Sequence, residues 1–130
     1  PQVASRVTLT QQICREAQLD LLVGASGYIQ PSLFEGWSTF VEEARALGLP
    51  GLLSDIPVHR EQNPPDAFFF DPFSAKSLGQ ALASFAQAAP SRPDAATAKA
   101  AQDAYILTCA RQFMMIARDT QAKFNPASHE

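Results

Sequence analysis

Glu35 and Glu43 stand eight positions apart, with Gly36, Trp37, Ser38 and Thr39 between them. Glu35 lies in a loop opened by Pro31, and Glu43 lies in the helix-like run that follows. A loop that feeds a helix start turns backbone N–H groups outward, where they favour an anion. A phosphate held there, with a carboxylate on each side to accept hydroxyl protons, makes a nucleotide-sugar site.

The two acids differ in setting. At the helical step per residue, Phe40, Ala44 and Leu47 form a buried stripe and Glu42 points to water. Glu43 falls at the border of that stripe, where a half-desolvated carboxylate needs donors. Arg45 and Arg60 are candidate partners, and so is a ribose with two adjacent hydroxyls. Glu35 precedes the helix. It reads either as a solvated acid that favours the helix start or as an acceptor for sugar hydroxyls. Gly36 allows close backbone approach to a ligand. Trp37 reads either as a core aromatic or as a cover over the sugar.

The elements that must position these residues alternate between strand and helix. Val7–Leu9 reads as a short strand. Ile13 to Val23 reads as a helix with Ile13, Ala17, Leu21 and Gly24 on one stripe. Tyr28–Gln30 reads as a strand stopped by Pro31. Ser38 or Thr39 suits the N-cap of the next helix, with Glu42 completing a capping box and Gly48 ending the helix. Gly51–Ser54 reads as a strand, Val58–Gln62 as a helical turn, and Ala67–Phe70 as a strand buried on both faces. A helix follows from Ala75 to about Gln87, with Leu78, Leu82 and Phe85 inward. Ala89–Pro93 is a linker. A long helix spans about Asp94 to Phe124, with Ile106, Ala110, Phe113, Ala117 and Phe124 on one stripe. The fold class is therefore α/β, a Rossmann-like parallel sheet with helices on both faces. Ligands in such sheets sit beyond the carboxyl ends of the strands. The loops Pro31–Thr39, Ser54–His59 and Asp71–Ser74 should share one rim.

At 130 residues the chain suits one domain. Its net charge is −3 with no basic cluster, which argues against a nucleic-acid partner. No run reaches the length of a membrane span, and Pro1–Arg6 does not resemble a secretory signal. Cys14 and Cys109 fit no metal-ligand spacing and read as free thiols in a reducing cytoplasm.

The ordered set Pro31-Ser32-Leu33-Phe34-Glu35-Gly36-Trp37, Glu43-Ala44, Ala46-Leu47-Gly48-Leu49-Pro50 and Ser54-Asp55 resembles the retaining glycosyltransferases of family 4. The blocks Ser54–Glu61 and Ala67–Pro72 resemble the segments that follow in that family, and the likeness covers about Val7 to Phe85. The resemblance implies the C-terminal donor-binding half of a GT-B fold, truncated at its N-terminus. Rossmann-like units would span about 7–88 and a C-terminal helix 94–124. It implies that Glu35 contacts the donor sugar as the catalytic carboxylate and that Glu43 accepts from the ribose. The amides of Gly36 to Thr39, including those of Trp37 and Ser38, would hold the distal phosphate, and Thr10 to Ile13 would lie near the base. His59 and Glu61 sit on the same rim and read as a surface helix turn. No metal or other cofactor is implied beyond a nucleotide-sugar donor such as a UDP- or GDP-sugar. The reaction implied is hexosyl transfer with retention, by front-face attack of the acceptor hydroxyl.

In that family an Arg and a Lys on the diphosphate come from units that would precede Pro1, as would the domain that binds the acceptor saccharide or lipid. The expectation is a cytoplasmic protein, peripheral at the inner membrane when full-length, whose present segment is inactive alone. If Val7–Leu9 were the third strand of a six-stranded order, the strand at Tyr28 would present a bare edge and invite self-association. The rival expectations are a non-catalytic nucleotide-sugar-binding or interaction module of the same fold, and an unrelated flavodoxin-like interaction protein.

Overall fold

A computed structural model describes residues 4–124. Pro1–Val3 of the leading segment and residues 125–130 lie outside the described residues. The elements run α1 (Arg15–Gly24), β1 (Tyr28–Gln30), α2 (Thr39–Ala46), β2 (Gly51–Ser54), α3 (Pro57–Gln62), β3 (Phe68–Phe70), α4 (Ala75–Ala88) and α5 (Ala95–Phe124).

The three strands form an open parallel sheet in the order β1-β2-β3. Tyr28 pairs with Gly51 and Gln30 with Leu53, while Leu52 pairs with Phe68 and Ser54 with Phe70. Successive strand residues face opposite sides, so β2 supplies a core to each face. Leu53 packs with Tyr28, Val41, Ala44 and Leu49 on the α2 side, where α1 adds Leu22. Leu52 packs with Phe70 and Ala81 on the α4 side, joined by Phe68, Leu78 and Phe85. All four β2 residues are buried, which is why its sequence is an apolar run without alternation.

Local chemistry explains several boundaries. Gly48 has φ +62° and ends α2, as its position after Leu47 predicts. A Cβ on Gly51 would lie 2.3 Å from Tyr28 Cζ, so only glycine lets the Tyr28 ring cross β2 there. Ser74 caps α4 by accepting from Ser77 N–H, and Asp94 does the same for α5 through Thr97 N–H.

Several sequence expectations need correction. Val7–Leu9 is not a strand. It follows a short 3-10 turn at Ala4–Arg6 and is exposed, with Leu9 92% accessible. Among the described residues no strand lies beyond β1 to pair with it, so its apolar character alone does not make it part of the sheet. The first helix starts at Arg15, so Ile13 precedes it and is exposed; within α1 the inward residue is Leu22, while Leu21 and Gly24 are exposed. In α2 the fully buried residues are Val41 and Ala44. In α4 Ala81 faces the sheet and Leu82 is exposed. The stripe from Ile106 to Phe124 in α5 faces solvent, and Ala98 is the buried residue of that helix. The Ala89–Pro93 segment is a strap rather than a free linker. Arg92 donates to the carbonyls of Val23 (2.6 Å) and Leu47 (2.8 Å), closing the C-terminal ends of α1 and α2 together.

Candidate functional site

Parallel pairing puts the exits of all three strands at one end. Two hydrogen bonds stitch those exits: Ser54 Oγ donates to Ser32 O (2.6 Å), and Asp55 N–H donates to Phe70 O (2.7 Å). The loops after β1, β2 and β3 therefore share a rim, as the topology requires.

Glu35 is held on this rim by residues the sequence reading left aside. Gln30 Nε2 (2.6 Å) and Ser32 Oγ (2.5 Å) both donate to Glu35 Oε1, and His59 Nε2 lies 3.9 Å from the same oxygen. Burial works upward on the Glu35 carboxyl, but hydrogen bonds from Ser32, Gln30 and Ser38, with His59 nearby, outweigh it and bring its pKa below 4.5. The carboxylate form is thus favoured. The protein's contacts converge on one oxygen, and the side chain keeps 18% of its surface open.

His59 is a correction to the surface reading: its side chain is fully buried. Its Nδ1 lies 2.9 Å from Ser54 O and 3.1 Å from Ser54 Oγ. A carbonyl only accepts and the Ser54 hydroxyl proton points to Ser32, so His59 Nδ1 carries a proton. Nε2 then faces Glu35 without a hydrogen-bond partner among the described residues. Glu61, by contrast, is exposed as expected.

Ser38 is the N-cap of α2, yet its side chain caps no amide and contributes to the lowered pKa of Glu35. The first intrahelical bond runs from Glu42 N–H to Ser38 O, so the amides of Thr39, Phe40 and Val41 precede the ladder. Glu42 completes no capping box, because it stands one residue too late. Nor does it point to water: it accepts from Gln62 Nε2 (2.8 Å) and pairs with Arg45 (3.3 Å). Gly36 has open space where a Cβ would be, and Trp37 is 47% exposed, which removes the core reading of that ring.

Glu43 is partly exposed on α2, and its partner is neither Arg45 nor Arg60. Arg15 grips it with both ends of the guanidinium, Nη1 to Oε2 at 2.9 Å and Nη2 to Oε1 at 2.6 Å. Arg60 instead forks Asp55 and stacks on Phe69, while Arg45 lies over Tyr105. The fold brings Glu35 together with Gln30, Ser32, Ser38 and His59, and Glu43 with Arg15; among the described residues the two acids share no side-chain partner. Thr10–Ile13 leads into α1 as exposed, irregular chain.

The sequence reading misses Gln30 and Arg15, and it places Ser54 on the rim without a role. Gln30 and Ser54 end β1 and β2, so the strand-exit rule for parallel sheets points to both. Nothing local in the sequence pairs Arg15 with Glu43.

A cavity of about 250 Å³ lies at the opposite end of the sheet, where Pro50 and Asp66 lead into β2 and β3, with Arg45, Pro93 and Tyr105 in its wall. It is remote from Glu35. Among the described residues no group of three metal-ligating side chains occurs, and no helix is long and apolar enough to cross a membrane. Comparison with known proteins finds no matching family model, no matching curated protein and no matching solved structure.

Proposed function

We propose that this chain forms the donor half of a retaining glycosyltransferase of the family 4 type, with a GT-B arrangement in the full protein. The nucleotide sugar lies across the strand-exit rim. Glu35 accepts from hydroxyls of the donor sugar, Glu43 from the ribose, and the amides from Gly36 to Thr39 hold the distal phosphate. The partial positive charge of the α2 start stabilises the departing diphosphate. The acceptor hydroxyl attacks on the same face and passes its proton to the leaving phosphate, which requires no nucleophile from the protein.

One observation carries this reading. The first-turn amides of α2 have no side-chain cap, and Glu35, whose carboxylate form is favoured, lies in the loop that leads into them. An anion acceptor and a hydroxyl acceptor are thereby adjacent. The fully buried, unpartnered Nε2 of His59 behind Glu35 is a second sign that this carboxylate is built for a purpose other than surface charge.

Calorimetric titration with UDP- and GDP-sugars tests the proposal. Saturable binding is expected, weakened about tenfold or more by Glu43→Gln and by Glu35→Gln. Absence of binding heat with every such donor, in a folded protein, refutes it.

A further inference from the structure

The Arg15–Glu43 pair occupies both oxygens of the carboxylate assigned to the ribose. Resting on that assignment, the pair has a role of its own. Arg15 is the first residue of α1, and α1 enters β1 three residues after its end at Gly24. The helix therefore runs counter to the strand, and its ten residues carry Arg15 back by about 15 Å toward the rim where β1 exits. Glu43 lies four residues past Thr39, about 6 Å along the axis from the start of α2. A guanidinium on Glu43 is thus within a side chain's swing of the uncapped amides.

Both partners are accessible: the side chains keep 47% (Arg15) and 29% (Glu43) of their surface. The pair faces solvent, which screens it, so a ligand that offers each partner a replacement can exchange into it. Glu43 with no partner would leave a half-desolvated carboxylate, and Arg15 supplies one while the site is empty of hydroxyls.

We propose that the Arg15–Glu43 fork is an exchangeable latch. A nucleoside diphosphate opens it: the ribose hydroxyls replace Arg15 on Glu43, and the freed guanidinium moves onto the phosphate at the start of α2. The ligand must carry both groups. A vicinal diol alone displaces Arg15 without compensating it, and a phosphate alone leaves Glu43 unpaired. Arg15 is then a cation for the diphosphate supplied from within this chain, bidentate in both states.

Calorimetry with uridine and with UDP, on the wild type and on Arg15→Ala, separates the outcomes. The latch predicts opposite signs: Arg15→Ala binds UDP about tenfold more weakly, having lost one charge-assisted phosphate contact, and binds uridine more tightly, since Glu43 is already free. If Arg15→Ala changes both ligands in the same direction, or changes neither, the latch is wrong while the nucleotide site stands. If neither ligand binds either protein, the nucleotide reading fails and the latch with it. Far-UV ellipticity monitors folding of the variant. Should the variant unfold, the Nε–H resonance of Arg15 in the wild type decides: it shifts on addition of UDP, and an unmoved signal at saturation overturns the exchange.

Discussion

Ser54 Oγ lies 2.6 Å from the carbonyl oxygen of Ser32, and this bond ties the exit of β2 to the loop that carries Glu35. Ser32 in turn donates to Glu35, and the same Ser54 receives the Nδ1 proton of His59. Ser32 and Ser54 thus link Glu35 and His59 in one open circuit, with a gap of 3.9 Å between His59 Nε2 and the carboxylate. Glu35 is positioned from the neighbouring strand, not only from its own loop.

Ser54→Ala breaks this circuit at its centre. Ser54 is fully buried, so its loss leaves the partly buried Ser32 carbonyl and the His59 Nδ1–H each short of one partner. A loss of about 1–3 kcal/mol in folding free energy is expected from urea unfolding. On the proposed function, donor-sugar binding should weaken as well, through the displaced Glu35.

Much of this architecture is legible in the sequence, and the exceptions have physical causes. Gly51–Ser54 and Ala67–Phe70 are apolar runs bounded by turn residues, and they become β2 and β3 in register. Gly48 ends α2 because its left-handed φ suits glycine. Val7–Leu9 has the same composition as a strand, but a strand needs a neighbour, and among the described residues it has none. His59 stands in a polar stretch and reads as surface; the turn from β2 into α3 brings its Nδ1 back onto the carbonyl and hydroxyl oxygens of Ser54, five residues earlier, and these offset its burial. Glu43 needs a donor by its position on the helix, which the sequence does show. That the donor is Arg15, 28 residues away, follows from the packing of α1 against α2.

Acid should expose the role of Glu35. Its folded pKa lies below the ordinary 4.5, so the carboxylate stabilises the fold fully above that value and progressively less as pH falls through the lowered one. Asp55, held down by Arg60, and Asp94, held down by Thr97, act in the same direction. Glu35→Gln is expected to be less stable than the wild type at neutral pH. The gap should narrow as pH falls below 4.5 and close only once the wild-type side chain is protonated as well. Denaturant midpoints across that range measure it. A gap that persists unchanged into acid would show that Glu35 acts by shape and not by charge.

Tyr28 controls the alkaline side. Burial pushes its pKa up to about 12 from 10.0, and its hydroxyl has no hydrogen-bond partner among the described residues. The unfolded chain ionises first, so stability is whole below pH 10 and declines toward pH 12, by up to roughly 2–3 kcal/mol. Tyr28→Phe removes the titrating group and an unsatisfied buried hydroxyl. It should be equal to or slightly more stable than the wild type at neutral pH, and it should show a smaller decline between pH 10 and 12. Thermal melts at matched pH give the comparison.

The outer part of α5 stands apart from these networks. From Ile106 to Phe124 every residue is exposed, including Phe113, Met114, Met115 and Ile116. A helical stretch without tertiary support is marginal in water. Warming should therefore fray this arm from its tip while the sheet and its two cores stay intact, so helicity and core integrity will be lost at different temperatures.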